Sequence, residues 1–251
     1  MIMQRRTFLA GAAALTASPA LAAPGVVYVK LTTPVGAIVL ALEQAKAPIT
    51  VANFLRYTDT KRYDGATFYR ASRPKGYTGD DYGSIQGGLQ NDPAKVMKPI
   101  GHEPTTKTGL SHTDGAISMG RFAPGSATSD FFICVGDNTY LDANPKAKGD
   151  NLGFAAFGYV VEGMEVVRKI LVKPRDPNAG VGVMKGEMLK PPVKILSARR
   201  TTAPVPKVET PPAEAAPVQA APATPATPAA PAVTPAPVVP TPSPASVAPR
   251  G

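Results

Sequence analysis

The run Val26 to Leu31 is alternating and β-rich, Thr33-Pro34-Val35-Gly36 supplies turn chemistry, and Ala37 to Leu42 is a second β-type run. Together they predict a hairpin. Pro48 opens a stretch in which Val51, Phe54 and Leu55 fall at helical spacing, which predicts a helix over about 48–60. Further short β-type runs are Thr67 to Ala71, Ser84 to Gln86, Ala116 to Met119, Asp130 to Val135, Ala155 to Val161 and Val193 to Ala198, separated by loops rich in Gly, Pro, Asp and Asn. Met164 to Leu171, following Gly163, reads as a second helix with Val167, Ile170 and Leu171 on one face. About eight short strands and two helices suit a mainly β chain. A closed antiparallel barrel capped by the helices leaves no exposed edge, and a two-sheet sandwich meets the same spacing.

The two ends have a different character. Arg5-Arg6, the apolar run Phe8 to Ala17 and Pro19-Ala20-Leu21-Ala22 have the order of an export signal, with cleavage expected after Ala22. Gln4-Arg5-Arg6-Thr7-Phe8-Leu9 is also similar to a twin-arginine signal. The apolar run is shorter than the ~20 residues of a spanning helix, so no membrane anchor is expected and the mature chain is placed in the periplasm. Of the 29 prolines, 15 fall within Ala203–Gly251, where Ala, Thr, Val and Ser supply nearly everything else. Such a tail is expected to be disordered or partly polyproline-II, suited to a solubilising extension or a tether. The folding unit is therefore 23–202, between the signal at 1–22 and the tail at 203–251.

Charge changes the picture little. The chain carries a formal +9; the signal accounts for Arg5 and Arg6, and the tail's two cations cancel its two anions, leaving +7 for the middle. Lys61, Arg62, Lys75, Lys95, Lys107, Lys146 and Lys169 are scattered without a run or interleaved aromatic residues, which argues against a nucleic-acid partner. A single Cys and two isolated His give no disulfide framework and no metal-ligand spacing, so neither metal nor cofactor is expected. Cys134, between Ile133 and Val135, reads as a buried small hydrophobe, and His102 and His112 as loop residues.

Five motifs stand in order along the chain: Ala66-Thr67-Phe68-Tyr69-Arg70, Ile85-Gln86-Gly87-Gly88, Gly115-Ala116-Ile117-Ser118-Met119-Gly120-Arg121, Ser129-Asp130-Phe131-Phe132-Ile133, and Phe157-Gly158-Tyr159-Val160-Val161-Glu162-Gly163-Met164. In this order and spacing the chain resembles the cyclophilin-type peptidyl-prolyl cis-trans isomerases over nearly all of 26–200. The resemblance implies a closed eight-stranded barrel with two capping helices and a site on its outer face. It implies Arg70 as the catalytic arginine, Gln86 as a residue positioning the substrate backbone, and Phe132 as the floor of a proline pocket walled by Met119 and Leu141. Gly120 and Arg121 stand on the strand end that would bind the substrate backbone. The implied partners are exported proteins with X-Pro bonds, served by a monomer.

The chain departs from the family pattern at several of these places. The loop Ala71 to Ser84 is long and lacks Pro-Gly-Phe-Met, with Gly83 near the place of the pocket phenylalanine and Tyr82 as a candidate replacement ring. Asp130 stands where the family usually has Gln, Arg121 where it has Asn, Tyr140 where many members have Trp, and Phe154 where a His often lines the pocket. The segment Ala143 to Leu152 is an insertion. Asp130 and Arg121 replace two neutral residues together, which predicts either a pair across the pocket mouth or an Asp130 that faces Arg70. A catalytically weak peptide-binding or chaperone module on the same fold is the alternative these departures favour.

Such a site suits the reaction. An X-Pro amide rotates slowly because partial double bonding sets a barrier of ~18–20 kcal/mol. Lowering that barrier needs no nucleophile, metal or acid-base pair, only a group that favours the twisted amide, and a permanently charged, fork-shaped guanidinium can be that group. In isolation Arg70 would read as a strand-end surface charge, Met119 as core, and one of Phe131 and Phe132 as ordinary core.

Overall fold

A computed structural model describes residues 25–204. The expected export signal at 1–22 and nearly all of the proline-rich segment at 203–251 lie outside the described residues. The hairpin forms as β1 (Val26–Thr33) and β2 (Gly36–Glu43), and α1 (Pro48–Asp59) follows. Next come β3 (Thr67–Ser72), β4 (Gly83–Gly88), a one-turn α2 (Thr105–Thr108), β5 (Ala116–Met119), β6 (Phe131–Val135), β7 (Ala155–Glu162) and α3 (Met164–Leu171). Three short strands complete the domain: β8 (Arg175–Asp176), β9 (Met188–Lys194) and β10 (Ser197–Thr201).

All ten strands share one antiparallel sheet in the order β10-β1-β2-β7-β5-β6-β4-β3-β9-β8. The order bears out a mainly β, antiparallel chain, with ten described strands where eight were expected, and does not itself show the closed ring. The ladder is linear, with β10 at one end and β8 beside β9 at the other. The run foreseen as one strand over 193–198 begins earlier and changes partner. β9 pairs with β3, β10 pairs with β1, and between them Ile195 donates to Ala66 O and Leu196 to Thr32 O. Pro191 and Pro192 sit where β9 has no ladder partner, as residues without an N–H must.

One face of the sheet and the apolar faces of α1 and α3 bury the main core, which includes Phe54, Tyr63, Phe68, Phe131 and Phe157. Phe131 meets Phe54, Tyr63 and Phe68 edge-on at ring-centroid distances of 5.4, 5.6 and 5.8 Å. Ala47 cannot cap α1 with its side chain, so the buried Glu103 does so from far away. Its carboxylate accepts the N–H groups of Ile49 (3.3 Å) and Thr50 (2.8 Å) and the Thr50 hydroxyl (2.7 Å).

Candidate active site

Strand register assembles the site. Across β3, β4, β6 and β5, Arg70 stands opposite Gln86, Gln86 opposite Phe132 and Phe132 opposite Ser118. Side chains alternate along a strand, so the neighbouring row, Phe68, Gly87, Phe131 and Met119, faces the other way, into the core. Phe68 and Arg70 are two residues apart and would ordinarily share a face. A bulge at Tyr69 inserts one residue between them, so Phe68 points into the core while Arg70 points outwards. Gly87 is required beneath this arrangement, because a Cβ there would lie 2.8 Å from the Phe68 ring.

Arg70 lines a cavity of about 530 Å³ together with Tyr69, Gln86, Gly120, Phe132 and Leu141, among others. Its Nη1 donates to Gln86 Oε1 (2.9 Å), and its Nε donates to Glu187 Oε2 (2.7 Å). Phe132 forms the apolar floor, packed against Leu141 and edge-on to Phe154 at 5.4 Å. Tyr140 is exposed at the mouth, and Gly120 donates its N–H to Asp130 O at 2.7 Å.

Four expectations need correction. Met119 is not a pocket wall; it belongs to the main core, as its place in the inward row requires. Tyr82 is not among the lining residues, whereas Val183, Met184 and Met188 are, and no local sequence signal marks these three. Arg121 does not pair with Asp130. It fastens the insertion instead, donating from Nη1 to Asp150 Oδ2 (2.6 Å), from Nη2 to Asp150 Oδ1 (3.0 Å) and from Nε to Gly153 O (2.9 Å), with its guanidinium 5.2 Å from the Phe154 ring centroid. Asp130 does not meet Arg70 either. It is buried, its Oδ1 accepts the Gln90 N–H at 2.8 Å, and burial pushes its carboxyl up to about 6 against the opposing pull of backbone N–H groups. Gly88, at φ 134°, makes room for it, since a Cβ there would collide with the carboxylate.

His112 lies in a loop, as expected, but is wholly buried there. Its ring stacks on Phe132 at 5.8 Å, Nδ1 lies 2.5 Å from Asp142 Oδ1, and Nε2 lies 2.9 Å from Ser118 Oγ. Burial holds its pKa below the ordinary histidine value, with Asp142 opposing. A carboxylate only accepts, so the neutral ring donates from Nδ1 to Asp142 and accepts at Nε2 from the Ser118 hydroxyl. The order Asp-His-Ser is that of a nucleophilic triad, yet Ser118 is wholly buried and no substrate carbonyl can reach it. The relay instead props the pocket floor from behind. Cys134 is buried as expected, and burial pushes its thiol up to about 12.

Residues 28–200 match the family model of the cyclophilin type peptidyl-prolyl cis-trans isomerases. The chain belongs to the cyclophilin family. It is 40% identical over 158 residues to the peptidyl-prolyl cis-trans isomerase A of Dickeya dadantii, a match covering 61% of this chain and 75% of that relative. A peptidyl-prolyl cis-trans isomerase of Acinetobacter baylyi is 34% identical over 174 residues, covering 68% and 84%. The fold is similar to the crystal structure of a Cryptosporidium parvum cyclophilin type isomerase, with a TM-score of 0.56, 19% identity, and coverage of 71% of this chain and 99% of that one. Among cyclophilin residues foreseen from sequence, Arg70, Gln86, Gly120, Arg121, Asp130, Phe132, Leu141, Tyr140 and Phe154 line one cavity, and Met119 does not. Glu187, 117 residues from Arg70, was not foreseeable, because only the approach of the β9 segment to β3 brings it there.

Proposed function

We propose that this cyclophilin accelerates X-Pro isomerisation in exported proteins, with Arg70 as the catalytic residue. Support comes chiefly from one observation: a guanidinium held by Gln86 at the rim of an apolar-floored cavity. In the ground state the proline nitrogen shares its lone pair with the carbonyl and accepts no hydrogen bond. As the C–N bond twists, the nitrogen becomes pyramidal and the lone pair localises, and an Arg70 N–H can then donate to it. That bond exists only in the twisted state, so it lowers the barrier rather than tightening ground-state binding. Phe132 holds the proline ring while the preceding carbonyl swings, and exclusion of water by the apolar lining strengthens the Arg70 contact.

The same reading takes β9 and β10 as one bent strand completing the family's barrel, and takes the domain as a monomer. The Arg5-Arg6 signal and the small residues ahead of Ala22 support export to the periplasm. Two measurements test this function. The purified chain should speed isomerisation of a short X-Pro peptide, and cell fractionation should recover the processed chain from the periplasm. A chain that binds proline peptides without turning them over would support the binding-module reading, which the absence of a pocket phenylalanine in the loop after Arg70 favours.

A further inference from the structure

Arg70 has a second holder, and it is acidic. Glu187 Oε2 takes both Arg70 Nε and Arg70 Nη2 at 2.7 Å, while Glu187 Oε1 accepts the Ser72 hydroxyl at 2.9 Å. The carboxylate is itself fixed by its backbone. Glu187 O accepts the Ala71 N–H at 2.9 Å, and Glu187 N donates to Met184 O at 3.1 Å. Ser72 lies two residues beyond Arg70 on β3 and so shares its face. One carboxylate therefore ties the β3 row to the segment carrying Val183 and Met184, both of which line the cavity.

We infer that Glu187 is a positioning residue for isomerisation, holding the Arg70 guanidinium in its working orientation. The inference rests on the proposed role of Arg70. An arginine has five N–H donors in a rigid plane at the end of a flexible stem. Glu187 takes two of them along the Nε and Nη2 edge, and Gln86 takes one at Nη1. Two remain for a substrate, and with both sides of the fork anchored their direction is set before the substrate arrives. Arg70 and Glu187 side chains are only 21% and 18% exposed, so breaking the pair also lowers folding stability, and a purely structural role would make the rate loss follow the melting temperature. A stability role and a positioning role thus predict different results.

The test uses the full chain, an X-Pro peptide and three variants: Glu187→Gln, Arg70→Ala and the two combined. Loss of the anchor should lower kcat about tenfold, since small misplacements of a catalytic group are costly in rate. KM should stay within about twofold. The combined variant should be no slower than Arg70→Ala alone, because Glu187 acts only through Arg70. In nitrogen NMR the Arg70 Nε–H signal should move upfield and exchange faster with water in Glu187→Gln. An unchanged kcat, an unchanged Nε–H signal, a rate loss that tracks the melting temperature, or a combined loss that multiplies the two single losses would each overturn the role of Glu187. An active wild type with an equally active Glu187→Gln would overturn that role alone, whereas an inactive wild type would overturn the proposed function and the role together.

Discussion

Two neighbouring rows of side chains cross the same four strands and differ in almost every respect. The inward row, Phe68, Gly87, Phe131 and Met119, is apolar and its large members belong to one aromatic-rich core. The outward row, Arg70, Gln86, Phe132 and Ser118, is mostly polar, and its members are held by residues from elsewhere: Glu187 for Arg70, His112 for Ser118, and Phe154 and Leu141 for Phe132. One strand step separates a surface that holds the fold together from a surface that can do chemistry. The bulge at Tyr69 allows a single strand to serve both.

That contrast makes the two adjacent phenylalanines its sharpest test. Phe131→Ala should cost about 3–5 kcal/mol in denaturant unfolding, the range for emptying a packed aromatic site. If Phe131→Leu changed turnover more than stability, the inward row would have a share in the chemistry and the contrast would break. The outward side has its own stability signature at Asp130. In the folded chain its carboxyl titrates at about 6 rather than 3.8, so the native state keeps a proton that the unfolded chain has released. The contribution of Asp130 to stability therefore falls as pH rises from about 4 to about 6, by up to about 3 kcal/mol, and is constant on either side. Asp130→Asn should remove that fall and raise stability at pH 7, as read from unfolding curves across the pH range.

Smaller effects follow at the floor and behind it. Phe132→Leu should weaken proline-peptide binding about tenfold while costing under about 1.5 kcal/mol of stability, a tolerable change of shape in a partly open cluster. Calorimetric titration beside thermal unfolding measures both. Ser118→Ala should cost about 1 kcal/mol for the lost hydrogen bond to His112 and leave turnover within about twofold. A complete loss of activity in Ser118→Ala would point to a nucleophile that burial rules out.

Local pattern carried much of this arrangement. β5 matches its sequence run residue for residue, α1 ends within one residue of expectation, and the alternation rule already makes one of Phe131 and Phe132 core. The same rule, applied to Ser118-Met119, would have placed Met119 inward once Ser118 was set opposite Phe132. What stayed hidden depends on distant partners. Glu187 sits in a loop with no pattern of its own and matters only through an ion pair 117 residues away. His112 beside Thr113 and Asp114 looks like a surface loop until Asp142 and Ser118 close over it. Asp130 and Arg121 invited pairing because both change against the family pattern, but Arg121 is drawn off by Asp150 in the insertion and Asp130 by the backbone N–H of Gln90. The prolines of β9 concealed a strand whose ladder simply skips them.

The central claim is that a held guanidinium at Arg70 lowers the barrier to amide rotation. Its most direct test compares wild type with Arg70→Ala for isomerisation of a short X-Pro peptide, alongside peptide affinity and melting temperature. Turnover in the variant should fall about a hundredfold or more, while affinity and melting temperature stay near those of the wild type, because the contact is made in the twisted state alone. A variant that turns over peptide as fast as wild type would contradict the account.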